Sequence, residues 1–209
     1  MKQQLADMLA LQEEINRQVH PNWREQNFEW HRAIWIESAE LLDHYGWKWW
    51  KKHSPDLGQV QLELVDIWHF ALSMALQEHQ SPDSVVTQLA EDLVPVANSG
   101  AGFAEVLEQF VAKIVGDKQF DVSLFSQLLN FAELSFSDLY EMYIAKNILN
   151  RFRQDHGYKE GTYIKQWQDR EDNEHLAELL DTFKQSGFEL GETSFFDWLY
   201  GQLQSRYPG

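Results

Sequence analysis

AIWIESAELLDHYGWKWWKKHSPDLGQVQLELVDIWHFALS, residues 33–73, decides how the rest of the chain is read. On both sides of the central WKWWKKHSPD, apolar residues recur at three- and four-residue spacing, the period of an α-helix and not of a strand. Gly46 suits the end of the first helix. Asp56, with Gln59 three residues on, suits the start of the second. So short a connection makes the two helices antiparallel neighbours. Each carries an acidic pair at i,i+3, Glu37 with Glu40 and Glu63 with Asp66. That spacing puts the carboxylates of a pair on one helix face, about 5–6 Å apart at Cβ. Apolar and aromatic residues flank both pairs, so the carboxylates repel one another in a setting that also strips them of water. A divalent cation removes both costs, and an all-oxygen donor set suits magnesium or manganese. A lone acidic pair reads as a solvated helix face. Two pairs on successive helices, each embedded in apolar sequence, read as a metal site for two or three ions.

The 209-residue chain is long enough for one domain with a sizeable core. Nine Trp and thirteen Phe argue against disorder despite a formal net charge of −16. That charge also argues against binding nucleic acid or an anionic membrane surface. It leaves a polyanionic small molecule open, because bound metal ions invert the local field. The absence of cysteine removes disulfides, thiolate metal sites and thiol nucleophiles. No segment has the length and apolarity of a membrane helix, and the N-terminal MKQQLADMLALQEEIN carries acids where a signal peptide would be apolar. A soluble intracellular (cytoplasmic) protein is the expectation.

Helical periodicity extends over most of the chain. Residues 2–19 align Leu5, Met8, Leu9, Gln12, Ile15, Asn16 and Val19 along one stripe, with the amides of Gln12 and Asn16 one turn apart. On burial alone these two read as satisfied polar residues; paired amides can also read the edge of a nucleobase. Residues 20–26 read as a connector, and a helix follows over about 28–45. The second acidic helix runs to about 79. Further helices are expected near 83–97, 103–115, 122–134, 137–154, 174–186 and 194–206. The polar, glycine-bearing stretch 156–174 reads as an ordered or closable loop, and a closing portion within about 80–135 is also compatible with the pattern. The fold class is therefore all-α, a single multi-helix domain spanning 1–209.

In so acidic a chain the cations are informative. Lys48, Lys51 and Lys52 follow the first acidic pair; Lys146, Arg151, Arg153, Lys159 and Lys165 cluster later. Lys146, Asn150 and Arg153 at i, i+4 and i+7 share a helix face, and arginine forks onto phosphate. Trp47, Trp49 and Trp50 read first as core. A di-iron carboxylate bundle would need two Glu-x-x-His motifs; Asp66 with His69 and Asp172 with His175 come closest, and neither is one. No nucleophile elbow or Walker loop is present.

The segments IWIESAELLDHYGWKWWKK, LELVDIWHFALS, YIAKNILNRFRQDHGYKEGTYIKQWQDREDNEHL and LQEEIN together resemble the dimeric all-α dUTP diphosphatases, relatives of the MazG-like nucleotide pyrophosphatases. The acidic quartet belongs to the wider superfamily; WKWWKK and the KN-x-LN-x-x-R…GYK-x-G-x-Y-x-K pattern narrow it to the dUTP branch. The resemblance implies magnesium-dependent cleavage of dUTP, and of dUDP, at the α-phosphorus to give dUMP. It implies that Glu37, Glu40, Glu63 and Asp66 hold the metal, with Glu37 or Glu40 activating the water. It implies uracil reading by Gln12 and Asn16, with Trp50 or its neighbours beside the base and Phe70 against the deoxyribose. Lys146, Asn150, Arg153, Tyr158 and Lys165 match the phosphate- and nucleoside-contacting set. A homodimer with phosphate contacts across the interface is implied too. The chain is shorter than several such relatives. A dCTP- or broader dNTP-cleaving enzyme would use the same chemistry, and a non-catalytic acidic helical interaction protein is the reading from a different class.

Overall fold

The computed structural model describes residues 1–78, 81–93, 100–186 and 193–208. Its helices are α1 (Lys2–Val19), α2 (Trp30–Tyr45), α3 (Leu57–Glu78), α4 (Pro82–Asp92), α5 (Phe103–Gly116), α6 (Val122–Phe131), α7 (Phe136–Asp155), α8 (Asp172–Ser186) and α9 (Thr193–Arg206). A 3-10 turn over Trp23–Gln26 lies between α1 and α2. Ahead of α8 is a small antiparallel pair, β1 (Gln166–Trp167) with β2 (Arg170–Glu171). The all-α expectation holds, and the helices fall close to their predicted bounds. The predicted end of the fourth helix, near 97, lies outside the described residues.

Helix α3 is the axis of the molecule. Val60, Leu62, Leu64, Val65, Ile67, Trp68, Leu72 and Leu76 are all buried, and a helix apolar on every side belongs inside a core. Helix α2 folds back along α3 and is the element most extensively packed against it. Two local features make the reversal. Gly46 ends α2 at φ +93°, a conformation that favours glycine, and a Cβ there would lie 2.8 Å from the His53 Cβ. Asp56 then accepts from the Gln59 N–H at 3.2 Å and donates its own N–H to the His44 carbonyl at 3.0 Å, capping α3 as its sequence predicts.

Helices α1 and α7 close the other side of α3. The predicted α1 stripe is buried from Leu5 to Asn16, while Val19 at its end is exposed. Helix α7 starts at a capping box in which Ser135 accepts from the Asp138 N–H and Asp138 reaches back to the Ser135 N–H. The Tyr143 hydroxyl lies 2.9 Å from the Met8 carbonyl and joins α7 to α1. Helices α5 and α6 pack together around Phe110, Phe120 and Phe125, against which Trp68 stacks at 5.3 Å.

Two local expectations are corrected. The helix expected from about 28 starts at Trp30, because the backbone at Glu29, with φ −88° and ψ 68°, is not yet helical. The stretch 156–174 is not loop throughout. Gln168 and Asp169, at φ 52° and 64°, form the two-residue turn of the β1–β2 pair, the geometry of a primed hairpin turn. Strands of two residues are too short to show alternation in sequence. Among the described residues, no helix is long and apolar enough to cross a membrane.

Candidate active site

The α2–α3 pairing brings the two acidic pairs together. Carboxylate oxygens of Glu37, Glu63 and Asp66 all lie within 4.8 Å of one another. Glu40 stands outside that tight group but lines the same cavity, of about 660 Å3. Glu63 is buried and Glu37 is half-buried. Burial first, and then the neighbouring Asp66 charge, pushes the carboxyls of both Glu37 and Glu63 well above the ordinary range. In the absence of a cation the cluster therefore retains protons at neutral pH. An all-carboxylate group of this closeness fits a hard divalent ion, which would displace those protons and take the oxygens as ligands. His44 adds a ring nitrogen 3.6 Å from Glu63.

Helix α7 supplies the opposing charge. Lys146, 1% exposed, donates to Asp66 Oδ2 at 2.7 Å and to Asn173 Oδ1 at 2.8 Å. Two turns on, Arg153 makes a fork with Asp172 through Nε and Nη2, both at 2.8 Å. It also donates to Asn150 at 3.1 Å and Asn173 at 3.2 Å. Four of the five guanidinium N–H groups are thus held by protein oxygens among the described residues. Asp172 is fully buried and also accepts the Tyr163 hydroxyl at 2.9 Å. Burial works to raise its carboxyl, but the Arg153 bonds outweigh it and hold the group below the usual carboxylate range. Tyr158 lies under the Arg153 guanidinium at 5.9 Å, and Lys165, paired with Glu171 at 2.9 Å, lines the same cavity.

A second cavity, of about 360 Å3, adjoins the first. Glu37, Asp66, Arg153 and Tyr158 line both. Gln12, Asn16, Phe70 and Asn150 line it, together with Trp23, Phe28 and Trp30. Trp30 stacks on Phe70 with centroids 6.2 Å apart and meets Trp23 and Phe28 edge-on. Gln12, Asn16, His69, Ser73 and Tyr143 form a buried polar circuit in its wall. Burial pushes the His69 imidazole down to about 3, so it is neutral at physiological pH.

Of the site residues that the resemblance implied, Trp50 lines neither cavity, and of the clustered cations Lys48, Lys51, Lys52, Arg151 and Lys159 also line neither. The reading of the tryptophan trio as core is also corrected. Trp47, Trp49 and Trp50 are 47%, 89% and 58% exposed and pack edge-on against one another in the α2–α3 connection. The histidines of the nearest approaches to Glu-x-x-His stand outside the acidic cluster. The His69 Nδ1 is bonded to Gln12 at 2.8 Å, and the His175 Nε2 to the Trp167 carbonyl at 2.9 Å. Sequence reasoning did not place Asp172, Asn173, His44 or the aromatic group Trp23, Phe28 and Trp30 in the site. The one signal available for that group was the density of aromatics in NWREQNFEW, residues 22–30.

Comparison with known proteins agrees with this arrangement. The profile of a family described as dUTPase matches residues 4–158, which is more than half of the chain. No curated protein matches it. The matched span includes both acidic pairs and the Lys146, Asn150 and Arg153 face; Lys165, Asp172 and Asn173 lie beyond it. Enzymes of the dUTPase type use divalent metal, and the acidic cluster is a candidate place for it. The chain belongs to the dUTPase family and is an enzyme of the dUTP diphosphatase kind.

Proposed function

We infer that this enzyme hydrolyses dUTP, and also dUDP, at the α-phosphorus with magnesium, manganese serving as a substitute, and releases dUMP. The observation that carries the reading is the adjacency of the two cavities. One is lined by carboxylates and cations, the other by aromatics and amides, and they share Glu37, Asp66, Arg153 and Tyr158. A deoxyribonucleotide laid across them puts its base in the apolar cavity, its phosphates in the polar one and the α-phosphorus near the shared residues.

Glu37, Glu63 and Asp66, with Glu40 at the rim, would hold two or three ions. When bound, the metal neutralises the polyphosphate and lowers the pKa of water at the site. Glu37 or Glu40 takes the proton from the attacking water, since phosphoryl transfer requires positioning and charge neutralisation more than a covalent nucleophile. Lys146 holds Asp66 in place, and with Arg153, Tyr158 and Lys165 it faces the phosphates. Phe70, stacked on Trp30, is the apolar wall for the deoxyribose, against which a ribose 2′-hydroxyl would lose its solvation. A homodimer is part of the same proposal. The apolar groove of Trp35, Leu42, Leu107 and Val111 between α2 and α5, beside the exposed Ile36, is a surface a second subunit could cover. Sedimentation at twice the chain mass is the check.

The functional test is release of phosphate products from dUTP, dUDP, dCTP, dTTP and UTP, with magnesium and with a chelator. dUTP and dUDP are expected to be cleaved best, and only with the metal. No cleavage of any nucleotide would overturn the reading, and preference for dCTP would keep the chemistry and replace the substrate.

A further inference from the structure

The arm over residues 156–165 carries Tyr158 and Lys165 to the carboxylate-lined cavity, yet it has little interior of its own. Lys159, Glu160, Gly161 and Thr162 between them are exposed. A segment with so few buried contacts holds one position only where packing from outside fixes it. Helix α9 supplies that packing. Tyr200, Gln204 and Tyr207 stand at i, i+4 and i+7, on one face of the helix and its first residue beyond. Tyr200 donates to Asp155 Oδ2 at 2.9 Å, and Gln204 Oε1 lies 2.9 Å from His156 Nε2, both at the end of α7. Tyr207, whose N–H still bonds the Leu203 carbonyl at 3.0 Å, reaches the arm itself. Its hydroxyl accepts the Ile164 N–H at 3.2 Å. Its ring stacks on Tyr163 with centroids 5.4 Å apart and planes 13° from parallel, while Phe152 and Trp167 meet it edge-on. Trp167 Nε1 donates to the Ile164 carbonyl at 2.6 Å, so both backbone polar groups of the residue between Tyr163 and Lys165 are bound by aromatic side chains.

The Tyr163 hydroxyl carries this order inward. It donates to Asp172 Oδ2 at 2.9 Å, the oxygen that also accepts from Arg153 Nε. Burial, and then the Asp172 charge, pushes that hydroxyl up, so it keeps its proton and stays the donor. A continuous line therefore runs from Tyr207 through Tyr163 and Asp172 to Arg153, although Tyr207 and Tyr163 line neither cavity. We propose that Tyr207 is a positioning residue for the phosphate site: its ring holds Tyr163 where the hydroxyl fixes Asp172 and hence Arg153, and its hydroxyl fixes the backbone beside Lys165. That the site takes nucleotide phosphates rests on the dUTPase reading above; that Tyr207 sets its shape does not. Helix α9 packs on α7 and α8, whereas the acidic cluster stands on α2 and α3, so loss of Tyr207 falls on phosphate binding rather than on the chemical step.

The test reads binding of inorganic pyrophosphate and of deoxyuridine by calorimetry, with magnesium, together with KM and kcat for dUTP. Tyr207→Leu is expected to weaken pyrophosphate binding and raise KM by about 3- to 10-fold, the scale of one lost aromatic stack. Deoxyuridine binding and kcat should change less than about twofold. Tyr207→Phe keeps the stack, and water replaces its hydroxyl at the exposed Ile164 N–H, so pyrophosphate binding should return to within about twofold of the natural protein. Tyr207→Met fills the space without a stack and serves if Tyr207→Leu does not fold. Tyr163→Phe, which removes only the bond to Asp172, should also cost about 3- to 10-fold in pyrophosphate binding. Because the two tyrosines act along one line, Tyr163→Phe combined with Tyr207→Leu should lose no more than the larger single loss. Losses that multiply to about 10- to 100-fold in the double variant would make the two contributions independent and overturn the proposal. Unchanged pyrophosphate binding in Tyr207→Leu, an equal loss for deoxyuridine, or no pyrophosphate binding by the natural protein would overturn it as well. A protein that binds pyrophosphate in the expected pattern yet cleaves no nucleotide would sink the hydrolase reading alone.

Discussion

Glu63→Gln is expected to lower kcat for dUTP by about 10^3-fold or more, while raising the melting temperature of the metal-free protein. The loss of rate follows from removing one carboxylate of the cluster, since metal-assisted stabilisation of the transition state contributes several kcal/mol and each 1.36 kcal/mol is about tenfold in rate. The gain in stability follows from the same geometry. Glu63 is 5% exposed within 4.8 Å of two other carboxylates, so folding without metal forces it to take up a proton, and a neutral isostere removes that cost.

The sign of the pH dependence can be worked out from the carboxyl shifts. Glu37 and Glu63 are raised in the folded protein above the ordinary value of 4.5. Between that value and the raised ones, the folded state holds protons that the unfolded chain has released. Metal-free stability therefore falls as pH rises from the ordinary carboxylate range through neutrality. Glu63→Gln should flatten this slope. Magnesium held as proposed would take the cluster in its deprotonated form, so its stabilising effect should grow with pH. At about 100 times the dissociation constant it contributes about 2.7 kcal/mol, or about 5–10 °C in a chain of this size. Thermal melts at pH 6 and pH 8, with and without magnesium, measure all three effects. A metal-free Glu63→Gln protein that melts below the natural one would contradict the electrostatic account of the cluster.

Asp172→Ala has the second largest expected effect, and it is on folding. Asp172 is fully buried, and its two oxygens hold Arg153 while one also accepts from Tyr163. Alanine leaves the Arg153 guanidinium buried without its counter-ion, a change of about 3–5 kcal/mol. For a chain of this length that lowers the melting temperature by about 6–20 °C. Replacing both partners by apolar residues, Arg153→Met with Asp172→Leu, should recover most of the stability, because a buried ion pair is held at little net gain over a packed apolar pair. It should not recover activity, because the guanidinium that faces both cavities is gone. Denaturant melts and dUTP turnover of the single and double variants separate the two roles. Full activity in the double variant would remove Arg153 from the phosphate site.

Much of this architecture is legible in the sequence, and particular residues show where legibility ends. The acidic quartet could be read because i,i+3 spacing and apolar flanks are local properties of two helices joined by a short turn. The Lys146–Asn150–Arg153 face could be read for the same reason. The tie of Arg153 to Asp172 crosses from α7 to the start of α8 through a chain reversal. In sequence, Asp172 is one more acid in a charged stretch. The group Trp23, Phe28 and Trp30 was hidden because its members come from a 3-10 turn, an irregular residue and the first residue of a helix, with no common period. The opposite error fell on Trp47, Trp49 and Trp50. Aromatic content suggested core, yet a short connection at the end of a helix hairpin has no interior to offer three indoles. Gln12 shows a third limit. Its helix face could be read from the stripe, but that its amide meets His69 and Ser73, both contributed by α3, could not.

The account rests on attack of water at the α-phosphorus in a carboxylate-held metal site. Hydrolysis of dUTP in 18O-labelled water, in the presence of magnesium, tests it most directly. The label is expected in dUMP, with unlabelled pyrophosphate as the second product and no reaction once the metal is chelated. Label in the released pyrophosphate, or formation of dUDP with labelled phosphate, would place the attack on another phosphorus and contradict the account.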